Sequence, residues 1–233
     1  MKKIVFIHGA GGGKSNFTKL EKELSKDFKT ISFDLIGYGK EIKPRIEYNL
    51  NDFIKFVESK VNLKKGNYIL VGHSMGGAIA KELALKYKKT IKKLFLIGYP
   101  LKDKDKLLKT KFQVMYMQGS KISKVLCHTK HLWKYFIWPV YFILDKRNIN
   151  SFWDYFNHTY HSLSSSVNNT IYKDNKENIK ELKNKVVIIF GEKDSFLDKN
   201  LAVKFKNYKI RNLGHLFFGK EKEIAQIIKK ESK

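Results

Sequence analysis
The stretch Asn67-Tyr68-Ile69-Leu70-Val71-Gly72-His73-Ser74-Met75-Gly76-Gly77-Ala78-Ile79-Ala80 decides how the rest of the chain is read. Its first half is a short run of apolar and aromatic residues, the pattern of a buried strand. Its second half opens an alanine-rich helical pattern that continues to Ala84. Between them lies G-x-S-x-G, from Gly72 to Gly76. Strand, sharp turn and helix is the context in which that pattern carries chemistry, because the turn pushes the serine hydroxyl out at the carboxyl end of a sheet. Glycines at both ends let strand and helix crowd against each other. Backbone N–H groups at the helix start favour negative charge there. Ser74 therefore reads as a nucleophile. The simpler alternative is a glycine-rich turn whose serine only caps the helix.

Working outward, apolar runs at 4–7, 30–33, 93–97, 186–190 and 208–211 read as further strands. Helical spacing lies between them. Ser15 is placed to cap a helix with Phe17, Leu20, Leu24 and Phe28 on one face, and Phe53 and Val57 mark another over 50–61. A helix near 198–206 and a terminal one over 220–231 complete the pattern. Strands alternating with helices predict parallel βαβ units with right-handed crossovers. Residues 100–185 break the alternation. They hold all three tryptophans, Trp133, Trp138 and Trp153, and many other aromatic residues. Helices are expected there at 104–117, 121–145 and 150–163, with a polar, linker-like stretch over 162–169.

Ser74, Asp194 and His215 occur in that chain order, each just beyond a predicted strand. In a parallel sheet these ends share one edge, so the three can converge. A serine hydroxyl is a poor nucleophile at neutral pH, so an imidazole must take its proton. A carboxylate must hold that imidazole in the right tautomer. Asp198 is a rival acid, but its place at the start of the next helix suits a cap. His8 and His73 read as structural residues beside the turn.

These residues together resemble the α/β-hydrolase superfamily. The resemblance rests on His8-Gly9-Ala10-Gly11-Gly12, Asp34-Leu35-Ile36-Gly37-Tyr38-Gly39, Gly72-His73-Ser74-Met75-Gly76-Gly77, Gly191-Glu192-Lys193-Asp194 and Gly214-His215. It implies an α/β-hydrolase fold: a mostly parallel sheet of about six strands, helices on both faces, and an inserted helical lid. The core would comprise 1–99 and 186–233, and the lid 100–185. It implies an oxyanion hole made by the backbone N–H groups of Ala10 and Met75. The chain looks like a compact version that begins on the family's third strand. Lys40 and Glu41 stand where the family usually carries a serine, and the usual proline near Glu221 is absent.

The totals narrow the function classes. The chain has 233 residues and a net charge of +25. Residues 100–185 hold 16 Lys/Arg and 7 Asp/Glu, and the remaining +16 is spread at similar density. No basic domain or tail stands out, and the charge is nearly all lysine, so specific nucleic-acid binding is not expected. Weak attraction to anionic surfaces is. The one cysteine, Cys127, excludes an intrachain disulfide and suits a reducing, cytoplasmic setting. No leader-length apolar segment or membrane span is expected.

Gly13-Lys14-Ser15 is one glycine short of a phosphate-binding loop, since His8 stands where its first glycine belongs. His128/His131 and His158/His161 are spaced for one helical face, but no nearby carboxylate or cysteine cluster supports a metal site. The sequence thus points to a serine hydrolase cleaving carboxylic esters of small to medium acyl chains, acting on a small-molecule ester without a cofactor or metal. The alternatives are amide, thioester or carbon–carbon hydrolysis or acyl transfer on the same residues, or a non-catalytic binding protein on this scaffold.

Overall fold
Residues alternate between two cores within each central strand. In β1 (Lys3–Ile7), Ile4 and Phe6 face one cluster of buried apolar residues while Val5 and Ile7 face the other. The same alternation holds in β3 (Tyr68–His73), β4 (Ile91–Ile97) and β5 (Val186–Gly191). Such strands are buried on both faces, which is why they read as near-continuous apolar runs. With β2 (Lys29–Ser32) and β6 (Lys206–Ile210) they form one six-stranded sheet in the order β2-β1-β3-β4-β5-β6. Every neighbouring pair is parallel. The computed structural model describes residues 1–101, 120–144 and 149–233.

Helices cover both faces. On one, α1 (Thr18–Leu24) buries Leu20 and Leu24, and the terminal helix, Glu221–Glu231, buries Ile224, Ala225 and Ile228. On the other, α2 (Leu50–Lys60) buries Phe53 and Val57, and α3 (Met75–Lys86) buries Ala78, Ile79 and Leu83. A capping box fixes the start of α2: Asn49 accepts from Asp52 N–H at 3.0 Å, and Asp52 accepts from Asn49 N–H at 3.1 Å.

Between β4 and β5 lie α4 (Lys121–Leu144), α5 (Ile149–Tyr155) and α6 (Tyr160–Ser166). A π-helical turn, Val167–Ile171, and a 3-10 segment, Lys176–Leu182, follow. α7 (Lys199–Ala202) precedes β6, and the terminal helix becomes α8 (Glu221–Glu231). Among the described residues no helix is long and apolar enough to cross a membrane.

Several local expectations change. Ser15 does not cap the first helix. The chain enters through a 3-10 turn, Lys14–Phe17, with Gly13 at its cap position, and the Ser15 hydroxyl instead donates to Asp154 at 2.5 Å. Phe28 lies past the end of α1 yet is buried. The helix expected over 150–163 is two helices, because Thr159 and Ser162 build a capping box that starts α6 afresh. The polar 162–169 stretch is helical rather than a linker. Ser162 and Ser166 are buried within α6, and Ser166 bonds the buried Tyr38 hydroxyl. The helix near 198–206 shrinks to the four residues of α7. The helix expected at 104–117 lies outside the described residues.

One buried ion pair ties the end of the inserted stretch to α3. Lys81 is fully buried, and its ammonium donates to Asp174 at 2.6 Å, the Asn175 carbonyl at 2.5 Å and Asn178 Oδ1 at 2.6 Å. Tyr99, at the end of β4, donates its hydroxyl to the other Asp174 oxygen. A buried charge pair stabilises only while both partners remain. Lys81→Met should therefore lower unfolding free energy by about 3–5 kcal/mol, leaving Asp174 buried without its cation. Urea denaturation followed by circular dichroism measures this; a loss below about 1 kcal/mol would show that water reaches Asp174.

Candidate active site
The strand order reverses direction at β1: β2 lies on one side of it and β3 on the other. Ligand crevices form outside the carboxyl ends of such strands. The β1 end leads into Gly9-Ala10-Gly11-Gly12, and the β3 end into Ser74. Register brings the remaining segments to the same edge. His73 pairs with Ile97, Ile97 with Ile189, and Gly191 with Ile210. The loops carrying Asp194 and His215 leave from there.

Glycine is required at Gly76 by contact. A Cβ there would overlap the Ile7 carbonyl oxygen. The turn itself is strained: Ser74 has φ 52° and ψ −119°, a conformation side chains avoid. Its N–H bonds the Ile97 carbonyl at 3.0 Å, and its carbonyl accepts from Gly77 at 2.9 Å. Those bonds hold the strain in place, and the hydroxyl is left to the cleft.

His215 Nε2 lies 2.9 Å from Ser74 Oγ, and its Nδ1 lies 3.3 and 3.2 Å from the two Asp194 oxygens. An ionised carboxylate only accepts, so Nδ1 carries the proton and Nε2 accepts from the serine hydroxyl. Asp194 is buried. Burial alone would push its carboxyl up; the His215 hydrogen bond, together with the Phe196 N–H at 2.9 Å, brings it below its ordinary value. The Phe196 ring sits 4.6 Å from the His215 ring. The sequence reading did not single out Phe196; an Asp followed two residues later by an aromatic residue, in an Asx turn, was its only signal.

Met75 begins α3, so its N–H belongs to the first-turn donors that no intrahelical carbonyl takes. Ala10 lines the same cavity as Ser74 and His215, a space of about 130 Å³. Val167, Ile171 and Tyr172 close part of it from the inserted stretch. A second cavity of about 420 Å³ shares Ala10, His73 and Leu216 with the first. It is walled by Phe152, Tyr155 and Phe156 of the inserted stretch and by Phe218. The structure thus joins Ser74, His215 and Asp194 in one hydrogen-bonded chain, lines the same cavity with Ala10, and sets Met75 directly after Ser74 at the start of α3. Asp198 stands apart, its carboxylate accepting from Asn200 N–H at 2.9 Å at the start of α7.

Several of the other residues weighed from sequence have local hydrogen-bond partners. His8 Nε2 accepts from Leu35 N–H and its Nδ1 donates to the Gly9 carbonyl, each at 2.9 Å, tying the β1 loop to the β2 loop. His73 Nε2 donates to the His215 carbonyl at 3.1 Å. Asp34 accepts from the N–H groups of Lys14 and Lys40, at 2.8 and 2.9 Å. His158 is buried, whereas His161 donates to the Ile46 carbonyl. Among the described residues no group of three His, Cys, Asp or Glu is placed to hold a metal ion.

The alpha/beta hydrolase fold family matches residues 2–121, and the chain belongs to that family. Among curated relatives, the 1-acylglycerol-3-phosphate O-acyltransferase ABHD5 of Rattus norvegicus is 32% identical over 105 residues, 42% of this chain and 30% of that protein. The probable lysophospholipase BODYGUARD 4 of Arabidopsis thaliana is 27% identical over 194 residues, 72% of this chain and 45% of that protein. The matched stretches thus span less than half the length of these relatives. A solved carboxylesterase structure from Nitrososphaera gargenis superposes with a TM-score of 0.72 at 20% identity, covering 98% of this chain and 89% of that one. At that identity the likeness speaks for the fold.

Burial holds His73 and His158 near a pKa of about 3, against 6.5 for a free histidine, and His8 is lowered as well. Below pH 6.5 the unfolded chain takes up protons at His73 and His158 that the folded chain refuses until about pH 3. Stability should therefore fall as pH drops through that window. Urea midpoints measured between pH 7 and pH 4 should decline, and His158→Phe should flatten the decline; an unchanged slope in the variant would contradict the buried neutral state.

Proposed function
We propose that this chain is a serine hydrolase that cleaves carboxylic esters of small to medium acyl chains through an acyl-enzyme. The observation that carries the reading is the hydrogen-bonded chain from Ser74 through His215 to Asp194, opening on an apolar-walled cavity. Ser74 Oγ attacks the acyl carbon while His215 Nε2 takes its proton. Asp194 keeps the proton on Nδ1 and stabilises the imidazolium that forms. Negative charge on the former carbonyl oxygen is received by the N–H groups of Met75 and Ala10. The tetrahedral adduct collapses, and His215 returns its proton to the departing alcohol. Water, activated by the same imidazole, then frees the acid. Each step uses this chain's own groups, without cofactor or metal.

In this reading residues 100–185 form a lid over the crevice, and the lid-lined 420 Å³ cavity beside Ala10 takes the acyl chain. A cytoplasmic location belongs to the same proposal, supported by the single free and buried Cys127. Acyl transfer is the second reading, favoured by the activity in the rat relative's name. It shares the acyl-enzyme and differs only in whether an alcohol replaces water. Product analysis with and without a glycerol-type acceptor separates the two.

Ser74→Ala should abolish labelling by a fluorophosphonate and reduce ester turnover by on the order of 10³-fold or more. Labelling that persists on another serine would place the nucleophile elsewhere. Substrate length gives a second check. If the larger cavity holds the acyl chain, kcat/KM should rise from acetate to longer esters, and Phe156→Ala should cost the longer esters more than acetate. An equal loss at every length would leave Phe156 as a packing residue alone.

A further inference from the structure
Among the described residues, only one face of α4 is covered. Cys127 and Lys130 are buried on its inner face, where the Lys130 ammonium donates to the His158 carbonyl. The outer face carries Ile122, Val125, Leu132 and Phe136, which are 59%, 61%, 72% and 81% exposed. At about 100° per residue these four fall within an arc of roughly 80°, so they form one continuous stripe along the helix. Scattered exposed apolar side chains need no explanation, but a contiguous stripe does.

The flank of the stripe is basic. Lys121, Lys124, His128 and His131 are exposed on the adjoining arc, with Tyr135 among them. From Lys106 to Leu144 the sequence contains no Asp or Glu. A helix with an apolar stripe, a cationic flank and no acidic residue has the composition of one lying in a membrane interface. The charge also argues against a second copy as occupant, since each copy carries +25 and would bring its own lysines to the contact. An anionic lipid surface offers both complements at once, acyl chains below and negative headgroups beside. Beside the end of the stripe, Ile137 turns about 100° from Phe136 toward the inner side of the helix and lines the 420 Å³ cavity, and the exposed Leu216 borders both cavities.

We propose that α4 docks this protein on an anionic phospholipid bilayer, with the apolar stripe sunk to the headgroup boundary and the lysine flank against the negative headgroups. The docking rests on α4 alone. That it presents acyl substrate from the bilayer to Ser74 rests on the ester-hydrolase reading.

Sedimentation of the full chain with phosphatidylcholine vesicles, with and without phosphatidylglycerol, tests it. Binding should require phosphatidylglycerol and weaken with added salt. Lys121→Gln with Lys124→Gln should weaken it about fivefold per charge removed. Leu132→Ser with Phe136→Ser should weaken it about tenfold or more per side chain. The variant side chains are exposed, and circular dichroism checks that the fold is kept. Turnover of a short soluble ester should be unchanged in both variants. Vesicle binding that survives the Leu132/Phe136 variant, or no binding to anionic vesicles, overturns the proposal. So does sedimentation velocity showing a dimer that the same variant dissociates. If no soluble ester is turned over while vesicle binding responds as stated, the hydrolase reading fails and the docking surface stands.

Discussion

The close approach between Gly76 and the Ile7 carbonyl oxygen, too tight for any Cβ, sets the rest of the site. The start of α3 lies directly on the end of β1, and only glycine permits it. That contact fixes where the Met75 N–H stands relative to Ala10, because one begins α3 and the other follows β1. It also forces the turn at Ser74 into its left-handed backbone conformation, φ 52°. A strain of this kind costs of order 1–3 kcal/mol and persists only where the surroundings overdetermine it. Here the sheet supplies that constraint through the Ser74 N–H bond to Ile97.

The second level of organisation is the shared edge of the sheet. Gly98 has φ +55°, and a Cβ on it would press the His215 carbonyl. A Cβ on Gly191 would overlap the Leu213 carbonyl, and Lys193 N–H bonds that same carbonyl at 2.9 Å. The β4, β5 and β6 loops are thus locked to one another by backbone contact. His215 and Asp194 meet because their loops have little room to do otherwise.

Much of this was legible in the sequence. Strand periodicity located all six strands, and position after a strand singled out Ser74, Asp194 and His215, because a parallel sheet turns sequence order into a common edge. Backbone-determined features were the readable ones. What escaped were features set by tertiary partners. Ser15 has the chemistry of a cap, but Asp154, far along the chain, takes its hydroxyl. Ser162 and Ser166 look like linker residues until Tyr38 is seen to need a partner in the core. Lys81 reads as one more surface lysine among many, and nothing local announces that Asp174 and Asn178 surround it. A composition so rich in lysine hides a fully buried one.

The Tyr99 and Lys81 bonds to Asp174 have a consequence for how such a chain can change over time. Tyr99 stands where the chain leaves the sheet, and Asp174 stands near its return. Joined to each other and to α3, they close the inserted stretch into a loop whose two ends stay together whatever lies between. Extending or shortening a flexible loop with fixed ends changes its closure entropy only logarithmically. Residues between these anchors that do not pack into the core, as Leu163, Val167 and Ile171 do, are then free to be exchanged, lengthened or resurfaced with little cost to the sheet. Preference for one bound molecule over another can drift in that interval while the crevice beneath keeps its geometry.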